Sequence, residues 1–264
     1  MSTARVLARR PVTALVALVA VAFFAVPLVA LLVRAPWSQL VSNLSEPQAL
    51  EAMRLSLVCS LSAAVAATIL GLPLAWCLAR VDFPGRSIVR ALVLLPMVLP
   101  PVVGGVALLG AFARGAPIGS WLYDTFGVQL TFSTAGVVLA ETFVALPFFV
   151  ITVEAALRSM DRRLEDAAST LGATPGQVFR WVAVPSIMPS LVAGVVLAWA
   201  RALGEFGATI TFAGNVAGRT RTLPLAVYLA LESDPDVAVS LSLVLLAVSL
   251  VVIVSLRERW LGQR

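Results

Sequence analysis

Six apolar runs constrain this chain more than any other feature. They lie at about 12–33, 55–79, 88–112, 134–157, 188–213 and 237–256. Each can cross roughly 30 Å of hydrocarbon at about 1.5 Å of rise per residue. A backbone inside lipid must satisfy its own hydrogen bonds, so runs of this length read as helices. Hydrophobic residues make up 60% of the 264 and charged residues only 12%, too apolar a balance for a soluble fold whose surface must meet water. The expectation is an all-α polytopic membrane protein with about six transmembrane helices. No internal repeat, low-complexity tract or linker divides it. The natural segments are 1–54 (tail, first span and outside loop), 55–256 (the transmembrane body, with a long loop at 158–187) and 257–264 (a tail).

The first run follows Arg5, Arg9 and Arg10, the layout of a signal peptide. Its apolar stretch of about 22 residues exceeds the 7–15 of a cleavable one, so it reads as an uncleaved span. Arginine placement sets the orientation. Thirteen arginines fall on one side: the N-terminal tail, Arg80, Arg86 and Arg90, then Arg158, Arg162, Arg163 and Arg180, then Arg257, Arg259 and Arg264. The other side holds Arg34, Arg54, Arg114, Arg219 and Arg221. The positive-inside rule puts both termini in the cytoplasm. Outside loops are expected at 34–54 and 214–236, with Pro36, Pro47 and Pro235 as breakers. Cys59 and Cys77, 18 apart in the second span, cannot bridge along one helix and read as small buried hydrophobes.

Composition also removes chemistry. The chain has no His and no Lys, so all 19 basic residues are Arg. A Walker A loop needs Lys, and zinc-protease and Ser-His sites need His. An aspartyl site needs two carboxyls within spans. Asp82, Asp124, Asp161, Asp166, Asp234 and Asp236 read as loop residues, leaving Glu141 and Glu205 as the span acids. The chain therefore has no P-loop of its own and does not read as an intramembrane enzyme.

The loop from Met160 to Pro185 is amphipathic and resolves into two short helices around a turn. Asp161 is a candidate N-cap, and Leu164, Ala167, Ala168 and Leu171 recur at helical spacing. Gly172 suits a position of positive φ after the first helix, and Pro175 the first turn of the second. Val178, Phe179 and Val182 form an apolar stripe, which Pro185 ends. Physics alone leaves two readings, a loop resting at the membrane interface or a rigid knob offered to a cytoplasmic partner.

The spacing Asp166-Ala167-Ala168, three residues, Gly172, nine residues, Val182-x-Val184-Pro185 resembles the coupling loop of bacterial ABC-importer permeases, whose pattern is E-A-A, x3, G, x9, I-x-L-P. Asp166 replaces Glu, and valines replace Ile and Leu. The resemblance implies that Asp166, Ala167, Ala168, Gly172, Ala173, Thr174, Pro175 and Pro185 engage a separate ATP-hydrolysing subunit.

The third span carries Pro96, Pro100 and Pro101 before Gly104-Gly105. Three missing N–H donors should kink or interrupt it, and freed backbone at membrane depth should face protein or a wet cavity. In the fifth span Arg201 and Glu205 are four apart, so on one helical face they can neutralise each other, with Thr209 continuing that face. Gly204 and Gly207 permit close approach by another helix. The pair reads as a structural bridge or as one that also shapes the field along an anion route. The role of Glu141 stays open.

The run from Gly204-Glu205-Phe206-Gly207 through Thr209 and Thr211 to Asn215, with Thr222-Leu223-Pro224-Leu225-Ala226-Val227-Tyr228, is similar to the molybdate branch of these permeases, and its core also to the sulfate/thiosulfate branch. The resemblance covers about 55–256. It implies a type I ABC importer permease fold in a bacterial cytoplasmic membrane and a homodimer surrounded by lipid. It also implies two ATP-binding subunits that carry the ATP and Mg, and an extracytoplasmic molybdate-binding protein. This chain would hold no cofactor, metal or nucleic acid. Pro96, Pro100, Pro101, Arg201, Glu205, Thr209 and Thr211 would line the path or a helix interface. Sulfate/thiosulfate or tungstate is the alternative cargo. An ion-driven secondary transporter is the alternative class, and it leaves the coupling pattern unexplained.

Overall fold

The computed structural model describes residues 11–261, with side chains from 12 to 254. Arg5, Arg9, Arg10 and Arg264, and the side chains of Arg257 and Arg259, on which part of the orientation argument rests, lie outside the described residues. The chain runs through α1 (Pro11–Val33), α2 (Leu40–Ser45), α3 (Pro47–Arg80), α4 (Arg86–Val98), α5 (Pro101–Phe112), α6 (Pro117–Phe126) and α7 (Thr134–Ser159). It continues through α8 (Arg163–Thr170), α9 (Pro175–Val178), α10 (Val184–Ser186), α11 (Met188–Leu203), α12 (Gly207–Ala213), α13 (Leu223–Ser233) and α14 (Pro235–Leu261). Residues 179–183, between α9 and α10, form a π-helical turn.

Four helices, α1, α3, α7 and α14, are long and apolar enough to cross a membrane unbroken. Bent pairs raise the number of candidate spans to as many as six: α6 follows α5 at 51°, and the arm 175–186 meets α11 at 77°. The third and fifth apolar runs are each divided between two helices, α4 with α5 and α11 with α12.

The centre of the molecule is α7 packed between α3 and α11. Lipid gives helices no hydrophobic reason to associate, so close packing of small residues does that work. On α3 the buried positions are almost all small: Ala49, Ala52, Ser56, Cys59, Ala63, Ala67, Gly71 and Ala75 recur every three or four residues along one face. The fully buried Phe149 ring of α7 fills the seam. A Cβ at Gly71 would stand 2.5 Å from Phe149 Cδ1, and one at Gly194 of α11 would meet the other ring edge at 3.4 Å. Ala198 and Ala202 of α11 and Val150, Val153 and Leu157 of α7 complete this core. The start of α7 is fixed by Ser133, whose hydroxyl oxygen accepts the Gly136 N–H at 3.1 Å.

Two expected loops are largely helical. Segment 34–54 contains α2 and the first two turns of α3, because Pro47 opens a helix where its missing N–H costs nothing. Segment 214–236 contains α13 and the first residues of α14, again with Pro235 at a helix start. The buried Ser56 Oγ accepts the Leu223 N–H at 2.6 Å, and Thr134 Oγ1 donates to the Arg219 carbonyl at 2.9 Å, so this outer segment is stapled to α3 and α7. Asp124 and Asp236 accordingly sit in helices, not loops. Cys59 is buried as expected, but Cys77 is exposed.

Candidate functional site

The chemistry-bearing residues form two groups, one at the breaks in the helices and one in the loop after α7. At the first break, α4 ends at Val98 and α5 starts at Pro101. Leu99 and Pro100 both adopt extended backbone, as residues before proline do. Pro96 lies inside α4, so the interruption comes from Pro100 and Pro101.

The second break has no proline. α11 stops at Leu203, and α12 begins at Gly207. Arg201 Nη2 still lies 2.6 Å from Glu205 Oε2, although the pair spans a helix end and not one continuous face. Glu205, 1% exposed, also accepts the Ala208 N–H at 2.8 Å through Oε1. One buried carboxylate thus neutralises an arginine and caps the next helix. Thr209 is fully buried and its hydroxyl has no partner. Thr211 donates to the Gly207 carbonyl at 2.8 Å.

The two breaks meet. A Cβ on Gly207 would stand 2.8 Å from Pro101 Cβ and 3.3 Å from the Val102 nitrogen. One turn on, a Cβ on Gly105 would lie 2.6 Å from Thr211 Cβ and 3.0 Å from the Ala208 carbonyl oxygen. Two half-helices therefore start side by side. Gly207 makes the expected close approach, whereas Gly204 does not, its nearest neighbour being its own helix at 3.7 Å. The inward-facing expectation for the third span also needs correcting. Gly104, Gly105 and Leu108 are buried, but Pro100 and Pro101 are exposed, and α4 buries no residue. Within one chain the broken segment lies at a surface.

In the loop, α8 ends in a Schellman turn: Gly172 N–H donates to the Ser169 carbonyl at 3.0 Å and Ala173 N–H to the Ala168 carbonyl at 3.1 Å. Gly172 has φ +86°, the left-handed conformation expected of it. Asp161 Oδ1 accepts the Arg163 N–H at 3.0 Å just before α8, whose N-cap position is Arg162 and not Asp161. Thr174 precedes Pro175, and its N–H donates to Gln177 Oε1 at 2.8 Å. Pro185 departs from expectation. It does not end the second arm, which runs on to Ser186 before the chain turns. Its missing N–H leaves the Trp181 carbonyl without an α-helical donor, next to a π turn closed by Val184 N–H on the Phe179 carbonyl.

Residues 67–264 match the family described as the binding-protein-dependent transport system inner membrane component. This chain belongs to that family. The permease is 47% identical over 245 residues to the molybdenum transport system permease protein ModB of Mycobacterium tuberculosis, covering 92% of each chain. It is 40% identical to ModB of Escherichia coli K12, over 81% of this chain and 93% of that one. Its identity to the sulfate transport system permease protein CysT of Escherichia coli K12 is 37%, over 87% and 83% of the two chains. Among solved structures, a bacterial ABC transporter that imports the acidic polysaccharide alginate superposes with TM-score 0.77 at 18% identity, covering 96% of each chain. The MetNI methionine transporter gives 0.57 at 19%, covering 90% of this chain and 99% of that one. The fold is that of the type I ABC importer permeases.

The permease also holds charges that hydropathy and spacing do not reveal. Glu154, which lies inside the fourth apolar run although only Glu141 and Glu205 read as span acids, is paired with Arg90 of α4, 64 positions away, and with Arg158 at 3.3 Å. Arg80, at the end of α3, pairs with Glu165 of α8 at 2.7 Å. Positions 85 apart give no local signal. Glu141 is buried to 1%, with one carboxylate oxygen unpartnered.

Proposed function

We propose that this chain is the membrane subunit of an importer that moves molybdate across a bacterial cytoplasmic membrane, working as a homodimer above two ATP-hydrolysing subunits. The observation that carries the reading is the loop after α7. It is a preorganised helix–turn–helix that leaves Leu164 at 50%, Leu171 at 89% and Trp181 at 66% exposed. Apolar side chains held out on a rigid turn mark a surface for protein or membrane, and the coupling-loop spacing favours protein. Asp166, Ala167, Ala168, Gly172, Ala173, Thr174, Pro175 and Pro185 then form or support the docking knob, and ATP and Mg belong to the partner. Arg80, Arg86, Arg90 and Arg158 gather at the loop's end of the bundle, which supports a cytoplasmic loop and cytoplasmic termini.

Exposure of Pro100 and Pro101 supports the dimer. Interrupted backbone at membrane depth needs protein or water against it, and a second copy provides both. The path would run along the paired breaks, with the Arg201–Glu205 pair shaping the field that a tetrahedral dianion meets. Docked loops moving as the ATPase dimer closes would shift α4, α5, α11 and α12 between inward- and outward-open arrangements. A binding protein outside would deliver the anion and begin selection between molybdate and sulfate.

The test is ATP hydrolysis by the reconstituted complex, driven by binding protein loaded with molybdate, tungstate or sulfate. Stimulation by the molybdate-loaded form well above the sulfate-loaded form is expected. Equal stimulation by sulfate would remove the molybdate assignment.

A further inference from the structure

Helix α8 is held to the rest of the permease by very little. Of its eight residues only Glu165 and Ala168 are more than superficially covered, and none is buried. Glu165 makes a two-pronged bond with Arg80: Nε to Oε1 at 2.9 Å and to Oε2 at 3.1 Å, and Nη2 to Oε1 at 2.7 Å. The side chains are only 8% and 14% exposed, so water screens the pair weakly. The Arg80 guanidinium lies 5.9 Å over the ring of Trp76, one turn earlier on α3. Trp76 in turn meets Phe179 edge-on at 4.9 Å, in the π turn of the second arm.

The contacts form one continuous chain: Glu165 in the first arm, Arg80 and Trp76 on the last turn of α3, Phe179 in the second arm. The end of α3 is therefore clasped between both arms of the loop. The two arginines that follow Arg80 in the chain are engaged elsewhere. Arg86 bonds the Leu78 carbonyl and Asp82, and Arg90 holds Glu154 and the same carbonyl. Asp166, Ala167, Leu164 and Leu171 point away from this clasp and stay exposed.

We infer that the Arg80–Glu165 pair is the link that carries displacement of the loop into the transmembrane core, with Glu165 a positioning residue distinct from the docking face. The inference rests on the reading of this loop as the ATPase contact. A rigid helix with two opposed contacts on its last turn follows both arms together. With Glu165 neutral, the first arm still docks but no longer pulls α3.

The experiment compares wild type, Glu165→Gln and the exchanged pair Arg80→Glu with Glu165→Arg. Each permease is assembled with its ATPase subunits in proteoliposomes supplied with molybdate-loaded binding protein. Three quantities are read: co-purification of the ATPase, ATP hydrolysis, and molybdate taken up per ATP. Glu165→Gln is expected to keep co-purification and hydrolysis while uptake per ATP falls on the order of 5–150-fold, the usual span of coupling between sites. Recovery in the exchanged pair completes the case. Unchanged uptake per ATP in Glu165→Gln overturns the inference, as does an exchanged pair that stays as uncoupled. Loss of ATPase co-purification in Glu165→Gln also overturns it, because Glu165 would then belong to the docking face. The reading of the loop itself fails on a different result, Gly172→Val retaining both ATPase and uptake.

Discussion

Arg201 and Glu205 are joined at 2.6 Å across the end of a helix, and the same carboxylate caps the helix beyond. The pair thus stabilises a break in the backbone as well as a buried charge.

Removing one member should therefore harm the complex more than removing both. Loss of either partner of a buried pair costs about 3–5 kcal/mol, because the other charge is stranded. Glu205→Gln can still accept from Ala208 and should be milder than Glu205→Ala. Arg201→Gln with Glu205→Gln should melt above Arg201→Gln alone. Thermal melting of the purified complex in a double-mutant cycle measures this, and simple additivity would count against coupling.

Gly172→Val should leave the spans inserted, yet lose both the ATPase subunit and uptake. The reason is conformational. No atom lies within 4 Å of a Cβ built there, but φ is +86°. Gly172→Ala should cost about 1 kcal/mol, and Gly172→Asn less, since Asn tolerates the left-handed region. Co-purification of the ATPase ranks the three.

Gly71→Ala should lower stability by about 1–3 kcal/mol, the usual penalty for overpacking a filled core. Its Cβ would press on Phe149 at 2.5 Å, whereas Gly110→Ala meets nothing within 4 Å and serves as the control. Fluorescence-detected size exclusion after heating compares them. Phe149→Leu in the Gly71→Ala background should restore part of the loss.

Gly207→Ala should impair uptake while assembly survives. The added methyl meets the Pro101 ring at 2.8 Å and forces the paired helix starts apart. Molybdate uptake measured beside ATPase co-purification separates these effects, and normal uptake would show that the close approach is not needed for transport.

Much of this is legible in the residues. The first, second, fourth and sixth apolar runs, the interruption at Pro100-Pro101 and the Gly172 turn are local signals, and each appears as expected. The break at Gly204–Phe206 is not legible, because hydropathy runs on across it and no proline marks it. Pro47 and Pro235 read as breakers, yet each opens a helix, since a proline restricts the residue before it and leaves the next turn free to be helical. Glu154 is legible inside the fourth apolar run, but its pairing with Arg90 is not, because the two lie 64 positions apart. Exposure of Pro100 cannot be read at all: alternation and spacing say that a face is special, not which neighbour it meets.

The length of α3 has a mechanical consequence. Its 34 residues span about 51 Å, well beyond the roughly 30 Å of hydrocarbon. Arg80 fastens one end to the loop, and Ser56 fastens the other to Leu223. A close seam, Gly71 against Phe149, lies near the loop end, about 13 Å from Arg80 and about 36 Å from Pro47. A rod with its fulcrum there is a lever of unequal arms. Any tilt about that point would enlarge a small push on the short arm roughly threefold at the long one, by simple proportion of those helix lengths.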